Sequence, residues 1–140
     1  MTVYLDCNAT SPVLPEVQEV VLKYIGEEFG NAGSRTHEFG ARAKKAVQAA
    51  RDSLGAVVDA QRDEVVFTSG ATESNNLAIL GLADHLQKNE RTHIITTSIE
   101  HKAVLEPFEQ LGKRGFEVTY LQPSSTGAVT AEMLKDALQD

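Results

Sequence analysis

The sequence predicts an α/β fold in which N-terminal helices are followed by parallel βαβ units. Two observations carry this. From Glu64 onward short apolar runs alternate with stretches of helical period, the alternation that builds a parallel sheet with crossover helices. Before that point the apolar residues recur at helical spacing. At 140 residues, 41% hydrophobic and 24% charged, the chain has the size of one ordinary domain and enough apolar material for a core.

After a short extended arm, Pro12 and Pro15 set up a first helix, because proline is pre-organised for the first helical turn. Its apolar positions are Val17, Val20, Val21, Tyr24 and Ile25, and it is expected to run to about Glu28. The stretch Phe29-Gly30-Asn31-Ala32-Gly33-Ser34 is too rich in turn formers for helix or strand and reads as a loop. A second, amphipathic helix follows, with Phe39, Ala43, Ala46, Val47, Ala50 and Leu54 on one stripe and charged residues mostly opposite.

The second half predicts a strand at Val65-Val66-Phe67-Thr68, a helix near 72–88, a strand at Ile94-Ile95-Thr96-Thr97, and a helix containing Val104, Leu105, Phe108 and Leu111. A third strand covers Phe116 to Leu121, and a last helix from about Thr130 is expected to bury Met133, Leu134, Ala137 and Leu138. Pro107 is expected in the first turns of its helix, where it is tolerated. The organisation predicted is an arm and helices over 1–62 and the start of an α/β domain over 63–140. The sequence reads as unfinished, because another strand is expected after the last helix.

Charge and cysteine usage exclude several function classes. Thirteen Lys and Arg against 20 Asp and Glu give a net charge of −7, so no overall positive field attracts nucleic acid or acidic lipid. The single cysteine, Cys7, forms no intramolecular disulfide and supplies no thiolate cluster for zinc, which fits a reducing, cytoplasmic setting. His37, His85 and His93 form no metal-ligand spacing, so no metal site is expected. No secretory leader and no apolar run long enough to span a bilayer is present in these residues.

The segment Thr68-Ser69-Gly70-Ala71-Thr72-Glu73 places small residues between a predicted strand and the helix it feeds. A helix start offers unpaired N–H groups and the positive end of the dipole, and the hydroxyls of Ser69 and Thr72 add donors, so a phosphate fits there without a lysine. The alternative is that Ser69 or Thr72 caps the helix, Gly70 makes a tight turn and Glu73 complements the dipole. Both readings stand on local chemistry.

His101, beside Glu100, falls just beyond a strand, at the carboxyl end of the sheet where open α/β folds place ligands. Its imidazole suits stacking on an aromatic cofactor or proton transfer near neutral pH, although packing at a helix start is the simpler explanation of one histidine. Lys102 as a Schiff-base lysine competes with a solvated lysine in a first helical turn, which is favoured. Cys7 has no activating neighbour and reads as a small buried thiol without a catalytic role.

With these residues in place the whole chain resembles the cysteine desulfurases of the class V aminotransferase family. The resemblance rests on Tyr4-Leu5-Asp6-Cys7-Asn8-Ala9-Thr10 with Pro12, on Phe29 to Ser34 followed by His37, on Phe67-Thr68-Ser69-Gly70-Ala71-Thr72-Glu73-Ser74-Asn75-Asn76, and on Ser98-Ile99-Glu100-His101-Lys102-Ala103-Val104. Ser11 stands where a second threonine is usual and Ala32 where the loop commonly has proline.

The resemblance implies the type I fold of pyridoxal-phosphate enzymes, with 63–140 as the incomplete first part of the cofactor-binding large domain. It also implies that Ala71 and Thr72 bind the phosphate of pyridoxal 5'-phosphate, and that His101 stacks on its ring and assists proton transfer. The implied parent activity converts L-cysteine to L-alanine, passing persulfide sulfur to an acceptor such as an iron–sulfur scaffold. The parent is implied to be a cytoplasmic homodimer with no membrane and no direct nucleic-acid contact. The family's Schiff-base lysine, its aspartate for the pyridine nitrogen and its mobile-loop cysteine are in later sequence, so this segment alone is expected to be inactive. Alternatives are a selenocysteine lyase, an aminotransferase-like relative, or a non-catalytic interaction module.

Overall fold

The computed structural model describes residues 2–139. It divides into two compact units, one up to Val66 and one from Phe67.

In the first unit α1 spans Pro15–Gly26, with Pro15 in the first turn, Glu16 near the positive end of its dipole and Lys23 near the negative end. It stops two residues short of the expected Glu28, at a glycine whose backbone entropy disfavours helix. The stripe predicted on α1 forms at helical spacing, yet Val17, Val20, Val21, Tyr24 and Ile25 are all exposed, and the helix buries no residue.

The next helix, α2, spans Glu38–Val57 and buries Gly40, Ala43 and Gly55. Its N-cap is His37, whose Nδ1 accepts the Gly40 amide at 3.1 Å. The loop before α2 is fixed on the helix start. Phe29 stacks on Phe39 with ring centroids 5.6 Å apart, and Arg42 lies 4.7 Å over the Phe39 ring while pairing with Glu28 at 2.9 Å and Glu38 at 3.1 Å. The chain then turns back through Asp59, at φ 55°, so tightly that a β-carbon on Gly55 would lie 2.5 Å from the Ala60 carbonyl oxygen. Arg62 closes this end with a two-pronged pair to Asp52.

The strand expected at 65–68 does not form. Val65 has extended dihedrals (φ −94°, ψ 119°), so the local preference of the β-branched run is expressed there, but 65–68 joins no described β-ladder. An extended segment becomes a strand only when a neighbour takes its N–H and C=O groups.

The second unit is built on one crossover. Strands β1 (His93–Thr97) and β2 (Glu117–Leu121) run parallel with His93 opposite Glu117 and Thr97 opposite Leu121. The helix between them, here α5, spans Lys102–Lys113. His93 Nε2 bonds Thr119 Oγ1 at 2.8 Å at one end of the ladder, and Ser98 Oγ donates to Gln122 Oε1 at 2.9 Å beyond the other.

Upstream, the single helix expected near 72–88 is two, α3 (Ala71–Gly81) and α4 (Ala83–Lys88), separated at Leu82 where ψ relaxes to −12°. Gly81 weakens the ladder at that point. Ala83, Leu111 and Phe116 form the buried core, with Ile79, Leu80, Leu86 and Ile94 packed around them. Pro107 is at the sixth position of α5, within its first two turns. It is buried, so its packing offsets the hydrogen bond that its missing N–H removes.

The last helix, α6, spans Ala131–Ala137 and starts where Thr130 Oγ1 accepts the Met133 amide at 3.2 Å. Met133 and Ala137 are half-buried, but Leu134 is exposed and Leu138 is both exposed and outside the helix, in extended conformation. The expected four-residue buried stripe is therefore only half realised. Among the described residues no helix is long and apolar enough to cross a membrane.

Candidate functional site

The turn leading into α3 has an unusual arrangement of caps. Gly70 is the N-cap residue, and no side chain caps the helix. The first amide that bonds back to the turn is Ser74, donating to the Gly70 carbonyl at 3.1 Å, so the amides of Ala71, Thr72 and Glu73 precede the ladder. Neither Ser69 nor Thr72 caps. Gly70 is extended (φ 161°, ψ −178°) rather than left-handed, and a β-carbon there would meet nothing within 4 Å. The capping explanation of this segment is thereby removed, and the amides of Ala71 and Thr72 stand at a positive dipole end in open space.

Side chains hold the turn from behind. Thr68 Oγ1 shares a hydrogen bond of 2.6 Å with Ser74 Oγ and donates to the Gly70 carbonyl at 3.2 Å. Glu73 Oε2 accepts the Ser69 amide at 2.5 Å. The Ser69 amide and hydroxyl, both donating, hold the Glu73 carboxyl below the usual carboxylate range. One turn further on, Asn76 Nδ2 donates to the Thr72 carbonyl at 2.8 Å. None of these bonds uses the Thr72 hydroxyl, and Ala71 and Thr72 are both exposed.

His101 is in the crossover from β1 to α5 and is the N-cap of α5. Its Nδ1 accepts the Ala103 amide at 3.1 Å, so in the neutral ring the proton is on Nε2, which faces away from the cap. Glu100 is held beside it, accepting from Thr97 Oγ1 at 2.9 Å. α5 leaves from the carboxyl end of β1 and packs against α3.

Lys102 is the exposed first residue of α5. Cys7, expected as a buried thiol, is exposed instead, in a turn where the Ala9 and Thr10 amides return to the Asp6 carbonyl and no apolar layer covers it. His37 caps α2, His93 bonds Thr119, and His85 lies 3.4 Å from Asn89, so the histidines are dispersed. No group that could hold a metal ion occurs among the described residues. Sequence reasoning missed both imidazole caps and the backward reach of Glu73. For Glu73 the signal was available, as a carboxylate four residues after a serine at a helix start.

A parallel crossover unit, with helix-start amides left uncapped at α3 and an imidazole capping α5, is the architecture of an α/β protein. The chain belongs to the class-V aminotransferase family, whose model, Aminotransferase class-V, matches residues 3–140. It is 48% identical to the cysteine desulfurase IscS of Psychromonas ingrahamii over 99% of its own length and 35% of that protein. Among solved structures, DndA from Streptomyces lividans matches with TM-score 0.83 and 52% identity, covering 98% of this chain and 38% of the other. A NifS-like protein matches with TM-score 0.90 and 38% identity over 100% of this chain and 38% of the other. The chain thus spans about a third of the length of these relatives.

Proposed function

We propose that the chain forms the phosphate-holding part of a pyridoxal-phosphate-dependent cysteine desulfurase that converts L-cysteine to L-alanine and passes the sulfur to an acceptor protein. The observation that carries the reading is the uncapped start of α3, within a chain whose relatives are named cysteine desulfurases. Its donors fit a phosphate: successive amides of Ala71 and Thr72 with the Thr72 hydroxyl, at the positive end of an 11-residue helix.

In this reading Ala71 and Thr72 bind the phosphate. His101 stacks on the ring and moves a proton at Nε2, while its Nδ1 keeps the α5 cap. Pyridoxal 5'-phosphate, when bound, supplies an electron sink for bonds at the substrate α-carbon. Residues 1–62 serve as arm and helices, and 63–140 open the cofactor domain. A cytoplasmic homodimer supplying iron–sulfur assembly belongs to the same reading. It is supported by the lone cysteine and by the exposed apolar residues of α1.

The test is to add pyridoxal phosphate to the chain, reduce with borohydride and map labelled lysines by peptide mass analysis. Scattered or absent labelling is expected, alongside phosphate-dependent shifts of the Ala71 and Thr72 amides. Stoichiometric labelling of Lys102 would contradict the assignment.

A further inference from the structure

A phosphate site at a helix start faces a conflict. The turn must be rigid, yet the ordinary means of rigidifying it, a Ser, Thr, Asp or Asn N-cap, occupies the same amides that the phosphate needs. Here the N-cap is glycine and the holding group comes from inside the helix. Glu73, the third residue of α3, sends its carboxylate back past the first turn to the Ser69 amide at 2.5 Å. That amide precedes Gly70 and lies outside the set a phosphate would take.

We propose that Glu73 is a positioning residue for the phosphate site, holding the Ser69–Gly70 backbone so that the Ala71 and Thr72 amides stay aligned and unoccupied. The inference rests on the phosphate-site reading given above. The Thr68–Ser74 hydroxyl bond at 2.6 Å and the Thr68 bond to the Gly70 carbonyl at 3.2 Å brace the same turn from its other side. A carboxylate close to a phosphate also repels it, so a residue kept for charge alone would work against binding. Geometry and charge therefore make opposite predictions on removal.

The experiment is a titration of the chain with inorganic phosphate and with pyridoxal phosphate, followed by the amide resonances of Ser69, Ala71 and Thr72, in the wild type, Glu73→Ala and Glu73→Gln. Glutamine keeps an acceptor oxygen at the same reach without the charge. Positioning predicts binding weakened about fivefold in Glu73→Ala, the scale of one hydrogen bond, and within about twofold of wild type in Glu73→Gln. It also predicts faster hydrogen exchange of the Ser69 amide in the alanine variant alone. Circular dichroism separates these effects from unfolding. Equal or tighter binding in Glu73→Ala overturns the proposal, as does equal weakening in both variants, because an acceptor at the same reach would then have failed to hold the turn. If phosphate fails to move the wild-type Ala71 and Thr72 amides, the site reading itself has failed and the positioning role falls with it.

Discussion

Gly40 and Ser34 are in backbone contact: a β-carbon on Gly40 would lie 2.6 Å from the Ser34 carbonyl oxygen and 2.7 Å from its Cβ. The loop 29–34 therefore rests directly on the start of α2, where His37 accepts the Gly40 amide. Gly40→Ala is expected to destabilise the first unit by about 2 kcal/mol through overpacking. His37→Ala is expected to cost about 1 kcal/mol as a lost cap, with His37→Asn recovering most of it. Urea unfolding followed by circular dichroism measures all three.

Leu111 is 1% exposed and lies between Ala83 and Phe116 in the core of the second unit. Leu111→Ala should cost about 3 kcal/mol, the usual sum of lost transfer energy and cavity. Exposed Leu138→Ala should leave the urea midpoint nearly unchanged.

Two carboxylates give the chain an acid dependence. Asp52 is held below its ordinary range by the Arg62 hydrogen bonds, and Glu73 by the Ser69 donors. A group whose folded pKa is depressed adds stability that is present above its unfolded value. That stability disappears as pH falls through the folded value. Unfolding midpoints should therefore hold steady above the ordinary carboxylate values of 3.8 and 4.5 and fall below them. Asp52→Asn should flatten part of that fall.

His101 has a cap to make whether or not a ligand is present. His101→Asn should therefore preserve α5 helicity while losing ring contact, visible as a changed absorbance of bound pyridoxal phosphate. His101→Ala should lose both.

Thr72→Val removes a hydroxyl and keeps the β-branched shape. Phosphate affinity should fall about tenfold, the scale of a hydrogen bond to a charged group, with no change in unfolding midpoint.

Much of this was legible in the residues. Ile94 to Thr97 fall on β1, and the run expected from Phe116 to Leu121 falls on β2 from Glu117 onward, because β-branched and aliphatic side chains flanked by polar breakers leave few other options. Pro15 and Thr130 mark helix starts by known chemistry. Periodicity, however, states which residues could be buried and not whether a neighbour exists to bury them. Hence α1 and Leu134 are exposed, and 65–68 forms no strand. The phosphate reading of Ser69 to Thr72 came from residue types, but the choice between capping and an open start depended on where Glu73 reached. Imidazole caps at His37 and His101 fell outside the Ser, Thr, Asp and Asn pattern.

The side-chain bonds at the two ends of the β1–β2 ladder, His93 to Thr119 and Ser98 to Gln122, make the pair of strands a ruler with both ends pinned. Sliding one strand by a single residue would move it about 3.3 Å and turn its side chains to the opposite face. Both bonds would break together. The carboxyl end of β1, from which the chain leaves toward His101, is thus held in register by contacts more than twenty residues away in sequence.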